Sequence, residues 1–81
     1  MSGYHIAKIK KGKLGESSKI QEELDELIDA LNQNNKIMAL VELSDLYGAI
    51  KAVAESLGSN MEDLKIMSEA TERAFKNGKR K

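Results

Sequence analysis

The sequence contains no cysteine and no proline among its 81 residues. Without cysteine, disulfide bonds are excluded as a source of stability, and a reducing compartment is the natural setting. Without proline, long helices can run uninterrupted. A chain of this length forms one domain with a small core, so we expect oligomerisation to add the stability that a small core lacks.

Long apolar runs and excess charge of one sign are also missing. No stretch approaches the roughly 18 consecutive apolar residues of a membrane span, and the first residues lack the apolar run of a signal peptide. We therefore expect a cytoplasmic protein without a membrane partner. The 13 basic and 13 acidic residues give a formal net charge of zero, so no nucleic-acid partner is expected.

Alanine, leucine, glutamate and lysine are plentiful, and this composition favours helices. Apolar periodicity predicts three of them, at about residues 18–32, 36–57 and 61–76. The polar run at residues 32–35 predicts a turn, so the first two helices should pair as an antiparallel hairpin. The predicted fold class is all-α, a helical hairpin plus a C-terminal helix.

Capping residues support these boundaries. Ser17 or Ser18 is the expected N-cap of the first helix, and Ser59 or Asn60 is the expected N-cap of the third. Gly58 is placed just after the end of the second helix, where glycine is common.

The two ends of the chain are rich in lysine. Residues 1–14 are predicted to form an N-terminal arm or loop, either extended or with a helical turn. Residues 15–78 form the predicted helical domain, and residues 79–81 form a basic tail. Such charged ends are either solvated tails or surfaces that attract phosphate.

An apolar stripe on the first helix predicts a face that packs on a core. With residues placed about 100° apart, the stripe comprises Ile20, Leu24, Leu27, Ile28 and Leu31. Glu23 lies at the edge of this stripe, and Glu26 lies one turn further along. Glu22, Asp25 and Asp29 are expected to point more nearly into solvent.

The second helix places two acids beside its own apolar stripe, which should also face a core. The stripe comprises Ala39, Leu43, Leu46, Ile50, Ala54 and Leu57, and the polar side comprises Ser44, Gly48, Lys51 and Glu55. Glu42 and Asp45 lie on the flank away from the polar side. Without a cation, carboxylates there would repel one another and raise their own pKa values.

Carboxylate pairs on two adjacent antiparallel helices can converge on one point. Their oxygen ligands suit Mg²⁺, with Mn²⁺ as an alternative, and such ions keep positions open for water or phosphate. Zinc is disfavoured because His5 is the only histidine and cysteine is absent. The acids of the first helix alone would be interpreted as a solvated face, but the second pair favours a site.

The two acidic motifs, Glu22-Glu23-Leu24-Asp25-Glu26 and Glu42-Leu43-Ser44-Asp45, resemble the EExxE and ExxD motifs of the MazG-like all-α nucleoside triphosphate pyrophosphohydrolases. The likeness extends over residues 15–80. It implies a homodimer or homotetramer of the four-helix-bundle type. It also implies Mg²⁺-dependent cleavage of a nucleoside or deoxynucleoside triphosphate to the monophosphate and pyrophosphate.

The resemblance also implies roles for individual residues. The implied metal ligands are Glu23, Glu26, Glu42 and Asp45. Glu22 would complete the catalytic set as an additional ligand or a neighbour of the ligands. Either Glu22 or Glu26 could accept a proton from the attacking water.

Many members of that family hold phosphates with a lysine just before the phenylalanine of the last helix, where this chain has Ala74. The candidate replacements are Lys19, Arg73, Lys76, Lys79 and Arg80. Two alternatives stay open. The substrate could be phosphoribosyl-ATP, or the chain could be a non-catalytic helical module for oligomerisation or interaction.

Overall fold

A computed structural model describes residues 5–78 and contains three helices in that part of the chain. They are α1 (Ser17–Asn32), α2 (Lys36–Ser56) and α3 (Met61–Lys76). No strand occurs among the described residues. The all-α class and the three helices are therefore confirmed. None of the helices in residues 5–78 is long and apolar enough to span a membrane.

Three residues turn the chain back between α1 and α2. Asn34 has a φ of 56°, a left-handed conformation that asparagine tolerates. The Asn35 N–H donates to the Ala30 carbonyl at 3.1 Å and closes α1. The Asn35 side chain accepts a bond from the Met38 N–H at 3.0 Å and caps α2. The predicted hairpin is confirmed, and Asn35 serves both of its helices.

The boundary between α2 and α3 follows the predicted capping pattern. Gly58 has a φ of 81°, which lets the chain leave α2. The Ser59 N–H then donates to the Ala54 carbonyl at 2.9 Å. Asn60 caps α3 by accepting a bond from the Asp63 N–H at 2.9 Å.

The start of α1 differs from the prediction. Glu16 occupies the N-cap position and makes no capping bond with its side chain, so the prediction that Ser17 or Ser18 is the cap is wrong. The Ser18 hydroxyl instead accepts a bond from the Lys13 N–H at 3.1 Å. The Ser18 hydroxyl is therefore bonded to the arm that precedes α1 and does not cap the helix.

The arm, residues 5–16, has no helix or strand and lies against α1. The backbone N–H groups of Ile6 and Ala7 each donate to the Asp29 carboxylate at 3.1 Å. The His5 ring nitrogen Nδ1 is 2.8 Å from Asp29 Oδ2. One carboxylate of α1 thus anchors the beginning of the described arm.

A second carboxylate anchors the arm nearer to α1. The Gly12 N–H donates to Glu22 Oε1 at 2.8 Å. Both Glu22 and Asp29 are buried, so the prediction that they point into solvent is wrong. A helical wheel describes α1 alone, and the arm covers the side on which these two acids lie.

The seam between α1 and α2 is lined with small and acidic side chains. On α2, the buried residues include Met38, Glu42 and Ala49. On α1, the buried residues are Glu22, Glu23, Asp29 and Ala30. The flank of α2 that carries Glu42 therefore faces α1. Because the alanine side chains in this seam are short, the two helix backbones can approach each other closely.

Most large side chains of the predicted apolar stripes are exposed in the single chain. Ala39 and Ala54 are buried, and Leu27 packs on the core cluster of Ala30, Met38 and Ala39. The exposed stripe residues are Leu24, Ile28, Leu31, Leu43 and Leu57. The expectation that the α1 stripe faces a core is therefore met only in part within one chain, at Leu27. Two helices share a single seam, and acids and alanines occupy it.

Of the other two helices, only α2 contacts α3. Tyr47 and Ile50 of α2 lie beside Met61 and Leu64 of α3. No residue of α3 is buried. The buried residues among positions 5–78 therefore all belong to α1 and α2.

Gly12→Ala should destabilise the protein by about 1–3 kcal/mol, because an added Cβ would collide with the Ser18 backbone carbonyl. Gly48→Ala is the matched control, since a Cβ there meets no atom within 4 Å. This control should stabilise α2 by about 0.5–1 kcal/mol. Urea unfolding followed by circular dichroism measures both effects. A Gly12→Ala protein as stable as the wild type would contradict the close packing of the arm.

Asp29 should make the free energy of unfolding depend on pH. The hydrogen bond from His5 lowers the Asp29 pKa, burial opposes this by raising it, and bonds from Ala7, Ile6 and Gln33 lower it further. A carboxyl group with a lowered pKa in the folded state stabilises the fold above its unfolded pKa of about 3.9. This stabilisation is lost as the pH falls through the folded-state pKa.

The measurement compares urea unfolding of the wild type and Asp29→Asn near pH 5.5 and below pH 3. The difference in unfolding free energy should be large near pH 5.5, where His5 is protonated and Asp29 is ionised, and should shrink in acid. Asp25→Asn on α1 controls for the loss of one negative charge. A difference that stays constant with pH would contradict the Asp29 anchor.

Candidate metal centre

Four carboxylates from two helices meet in the seam of the hairpin. One oxygen from each of Glu23, Glu26, Glu42 and Asp45 lies within 4.8 Å of the others. Each helix contributes two acids three residues apart, which places them one turn apart on the same side. The structure therefore brings the four residues together as the spacing predicts. Their role as metal ligands stays a prediction.

The four acids differ in how far they are shielded from water. Glu42 is 1% exposed and Glu23 is 4% exposed. Glu26 is half-buried, and Asp45 is exposed. The cluster is therefore closed on the side of Glu42 and reachable from solvent on the side of Asp45.

One carboxylate oxygen of the cluster has no hydrogen-bond partner in the described part of the chain. Glu23 Oε2 is buried and has no hydrogen-bond partner among the described residues. The other oxygen, Glu23 Oε1, is 3.1 Å from the Lys19 ammonium. Burial of an unpaired carboxylate oxygen is costly, and a divalent cation bound by carboxylate oxygens would remove that cost. The donor set and the orphaned oxygen therefore fit Mg²⁺ or Mn²⁺.

Burial, together with the proximity of the other acids, raises the pKa values of two members of the cluster. Burial is the largest cause of the raised pKa of Glu26, and the neighbouring Glu42 carboxylate raises it further. Burial likewise raises the pKa of Glu23; the bond from Lys19 opposes this, and the charge of Glu26 adds to it. Both shifts indicate incomplete charge compensation in the seam.

His5 lies on the closed side of the cluster. Its Nε2 is 2.6 Å from Glu42 Oε2, and its Nδ1 is 2.8 Å from Asp29 Oδ2. Both neighbours are carboxylate oxygens, so the imidazolium form, which donates from both nitrogens, fits this position. Burial lowers the His5 pKa, but the bonds to Asp29 and Glu42 outweigh it, and the net shift is upward.

Sequence reasoning missed the position of His5. The arm has no periodicity that would place His5 near the acids, so the sequence alone uses this residue only to disfavour zinc. The structure brings His5, Glu26 and Glu42 together as a second group of possible ligands within 4.8 Å. The one available signal is that His5 is the only histidine of the chain.

A cleft of about 510 Å³ opens beside the four carboxylates. Two lysines line it, Lys11 from the arm and Lys19 from α1. Lys19 Nζ is 3.1 Å from both Glu22 Oε1 and Glu23 Oε1, and Lys11 Nζ is 3.6 Å from Glu22 Oε2. The structure thus places the predicted Lys19 beside the acids and adds Lys11, which sequence reasoning missed.

Glu22 lies in the cleft but is not one of the four clustered carboxylates. Burial raises its pKa, yet the bonds from the Gly12 N–H and Lys19, with the charge of Lys11, outweigh burial and lower it overall. A carboxylate with a lowered pKa is a poor proton acceptor. Glu22 therefore holds the arm and the two lysines, and Glu26 is the better candidate for accepting a proton.

The other predicted phosphate-binding residues lie elsewhere or outside the described part. Arg73 and Lys76 are in the last turn of α3. Among the described residues, those that line the cleft all come from the arm, α1 and α2. Lys76 pairs with Glu72 at 2.8 Å on its own helix. Within one chain, Arg73 and Lys76 are not brought to the acids, and Lys79 and Arg80 lie outside residues 5–78.

Comparison with known proteins adds no identification. No known protein family, curated protein or solved structure matches the chain. The MazG-like resemblance therefore stays a prediction from the two acidic motifs.

Proposed function

We propose that the chain is a Mg²⁺-dependent nucleotide pyrophosphohydrolase that converts a nucleoside or deoxynucleoside triphosphate to the monophosphate and pyrophosphate. The observation that carries this proposal is one cleft with two kinds of charged group. The cleft is lined by the carboxylates of Glu23, Glu26 and Asp45 and by Lys11 and Lys19. Glu42 is buried next to the cleft, and its carboxylate converges with the other three.

Both kinds of group are needed to bind a triphosphate with its cation. Carboxylate oxygens bind Mg²⁺, whereas lysine ammonium groups neutralise phosphate oxygens. The Lys11 side chain is largely exposed, so exchanging its 3.6 Å pairing with Glu22 for a phosphate should cost little. Lys19 is more buried and bonded to two carboxylates, so it also holds Glu23 in place.

A bound magnesium ion supplies Lewis-acid stabilisation of charge on the phosphoryl oxygens and makes water more acidic. Glu23, Glu42 and Asp45 would hold this ion. We assign the acceptance of the water proton to Glu26, because it lines the cleft and its carboxylate lies within 4.8 Å of those of Glu23, Glu42 and Asp45. The water oxygen bonds to the α-phosphorus while the bond to the α–β bridging oxygen breaks, and pyrophosphate leaves with that electron pair.

We also propose that the working form is a homodimer or homotetramer. Support comes from the apolar side chains that the hairpin leaves exposed, which include Leu24, Ile28, Leu31, Ile37, Leu40, Leu43 and Tyr47. Monomers rarely expose apolar patches of that extent. Hairpins from two chains would bury these residues in a four-helix bundle.

Pyrophosphate release from a panel of nucleoside triphosphates, their deoxy forms and phosphoribosyl-ATP tests the activity. With Mg²⁺, we expect release from at least one triphosphate, and EDTA should abolish it. Asp45→Asn should lower kcat/KM about 100-fold, because an exposed ligand is lost without loss of folding. Glu55→Gln, on the exposed polar side of α2, should retain full activity.

Three results would contradict the proposal. Activity that persists in EDTA would exclude a dependence on Mg²⁺, and a fully active Asp45→Asn enzyme would remove the four-carboxylate site. No pyrophosphate from any substrate would favour the non-catalytic helical module.

Sedimentation velocity should give a mass of two or four times the 9.0 kDa chain. Leu40→Glu should shift the protein towards the monomer, because it places a charge in the exposed apolar surface. Lys51→Glu, on the polar side of α2, is the control and should leave the assembly unchanged. A wild-type monomer at micromolar concentration would contradict the proposed assembly.

A further inference from the structure

Three segments of the chain meet at His5. The ring bridges Asp29 of α1 and Glu42 of α2, with distances of 2.8 Å from Nδ1 and 2.6 Å from Nε2. The three side chains are at least nine-tenths buried, with exposures of 5% for His5, 7% for Asp29 and 1% for Glu42. Both ends of the imidazole are therefore occupied in a dry setting, where such bonds are strong.

Asp29 is itself held firmly. Its Oδ2 accepts bonds from the Ile6 N–H at 3.1 Å and the Gln33 amide at 2.8 Å, in addition to its contact with His5. Its Oδ1 accepts the Ala7 N–H at 3.1 Å. A carboxylate with this many donors cannot rotate freely, so the bridge from Asp29 through His5 to Glu42 starts from a fixed point.

We propose that His5 is a positioning residue for the candidate metal centre, holding the Glu42 carboxylate by one oxygen and leaving the other for a cation. This inference rests on the proposed metal-dependent function. A glutamate side chain that is already held loses less rotamer entropy when it binds an ion. Hydrogen-bonded partners of metal-ligating carboxylates commonly affect metal affinity 10–100-fold.

The charge of His5 acts in the opposite direction. An imidazolium beside Glu42 would repel a cation, so removal of that charge alone would tighten cation binding. Asp29 lies against the other ring nitrogen, and its negative charge opposes this repulsion. If positioning of Glu42 dominates, replacing His5 should weaken metal binding. If repulsion by the imidazolium dominates, replacing His5 should tighten it.

The test uses Mn²⁺ as the probe, with free Mn²⁺ measured by electron paramagnetic resonance in the presence of the full chain. The glutamine of His5→Gln can reach only one of the two carboxylates at a time, so Mn²⁺ binding should weaken at least about tenfold. Lys10→Gln, at an exposed position of the same arm, should bind Mn²⁺ within about twofold of the wild type.

Two further measurements distinguish the loss of Glu42 positioning from a general detachment of the arm from the hairpin. The Gly12 N–H bonds to Glu22 independently of His5, so its slow hydrogen exchange should persist in His5→Gln. His5 is the only histidine of the chain, so its ring ¹⁵N signals need no assignment. In the wild type these signals should shift during a Mg²⁺ titration with the midpoint of metal binding.

Unchanged or tighter Mn²⁺ binding by His5→Gln would overturn the inference while leaving the metal centre intact. Weaker binding together with loss of Gly12 protection would also overturn it, because the arm as a whole would then be the cause. Equal weakening of Mn²⁺ binding in Lys10→Gln would also overturn the inference, because the effect would then not be specific to His5. A wild-type chain that binds no Mn²⁺ would overturn the proposed function itself, and the inference with it.

Discussion

Repulsion among buried carboxylates in the α1–α2 seam is the constraint on which the rest of the structure depends. Glu23, Glu26 and Glu42 converge where a helical hairpin would ordinarily bury aliphatic side chains. Charges in such a place need partners. Lys19 approaches from the cleft side and His5 from the closed side, so the arm is part of the charge balance of the hairpin as well as its cover.

The same constraint links the candidate site to the expected assembly. Because acids and small residues occupy the seam, the larger apolar side chains of α1 and α2 point outward, among them Ile28, Leu40 and Leu43. The exposed apolar surface is therefore a consequence of which faces of α1 and α2 pack together to form the carboxylate cluster.

Local patterns predicted the elements, whereas the arm limited what could be predicted of the site. The helices, the turn at Asn34 and the cap at Asn60 follow from periodicity and short-range bonds. The convergence of the acids follows from their spacing on a hairpin. The positions of His5 and Lys11 depend on backbone N–H groups of an irregular segment that bond to distant carboxylates, and no periodic pattern records such contacts.

One carboxylate oxygen, unpaired within residues 5–78, separates this cluster from a network of ordinary ion pairs and supports the proposed metal centre. A network that is complete would leave no buried carboxylate oxygen unpaired. Lys19 compensates one oxygen of Glu23, and His5 compensates one oxygen of Glu42, yet Glu23 Oε2 is buried without a partner among the described residues. Since Lys19 and His5 approach the cluster from its sides, the uncompensated negative charge lies among the four carboxylates. A small divalent cation with several oxygen ligands is the species that fits this charge.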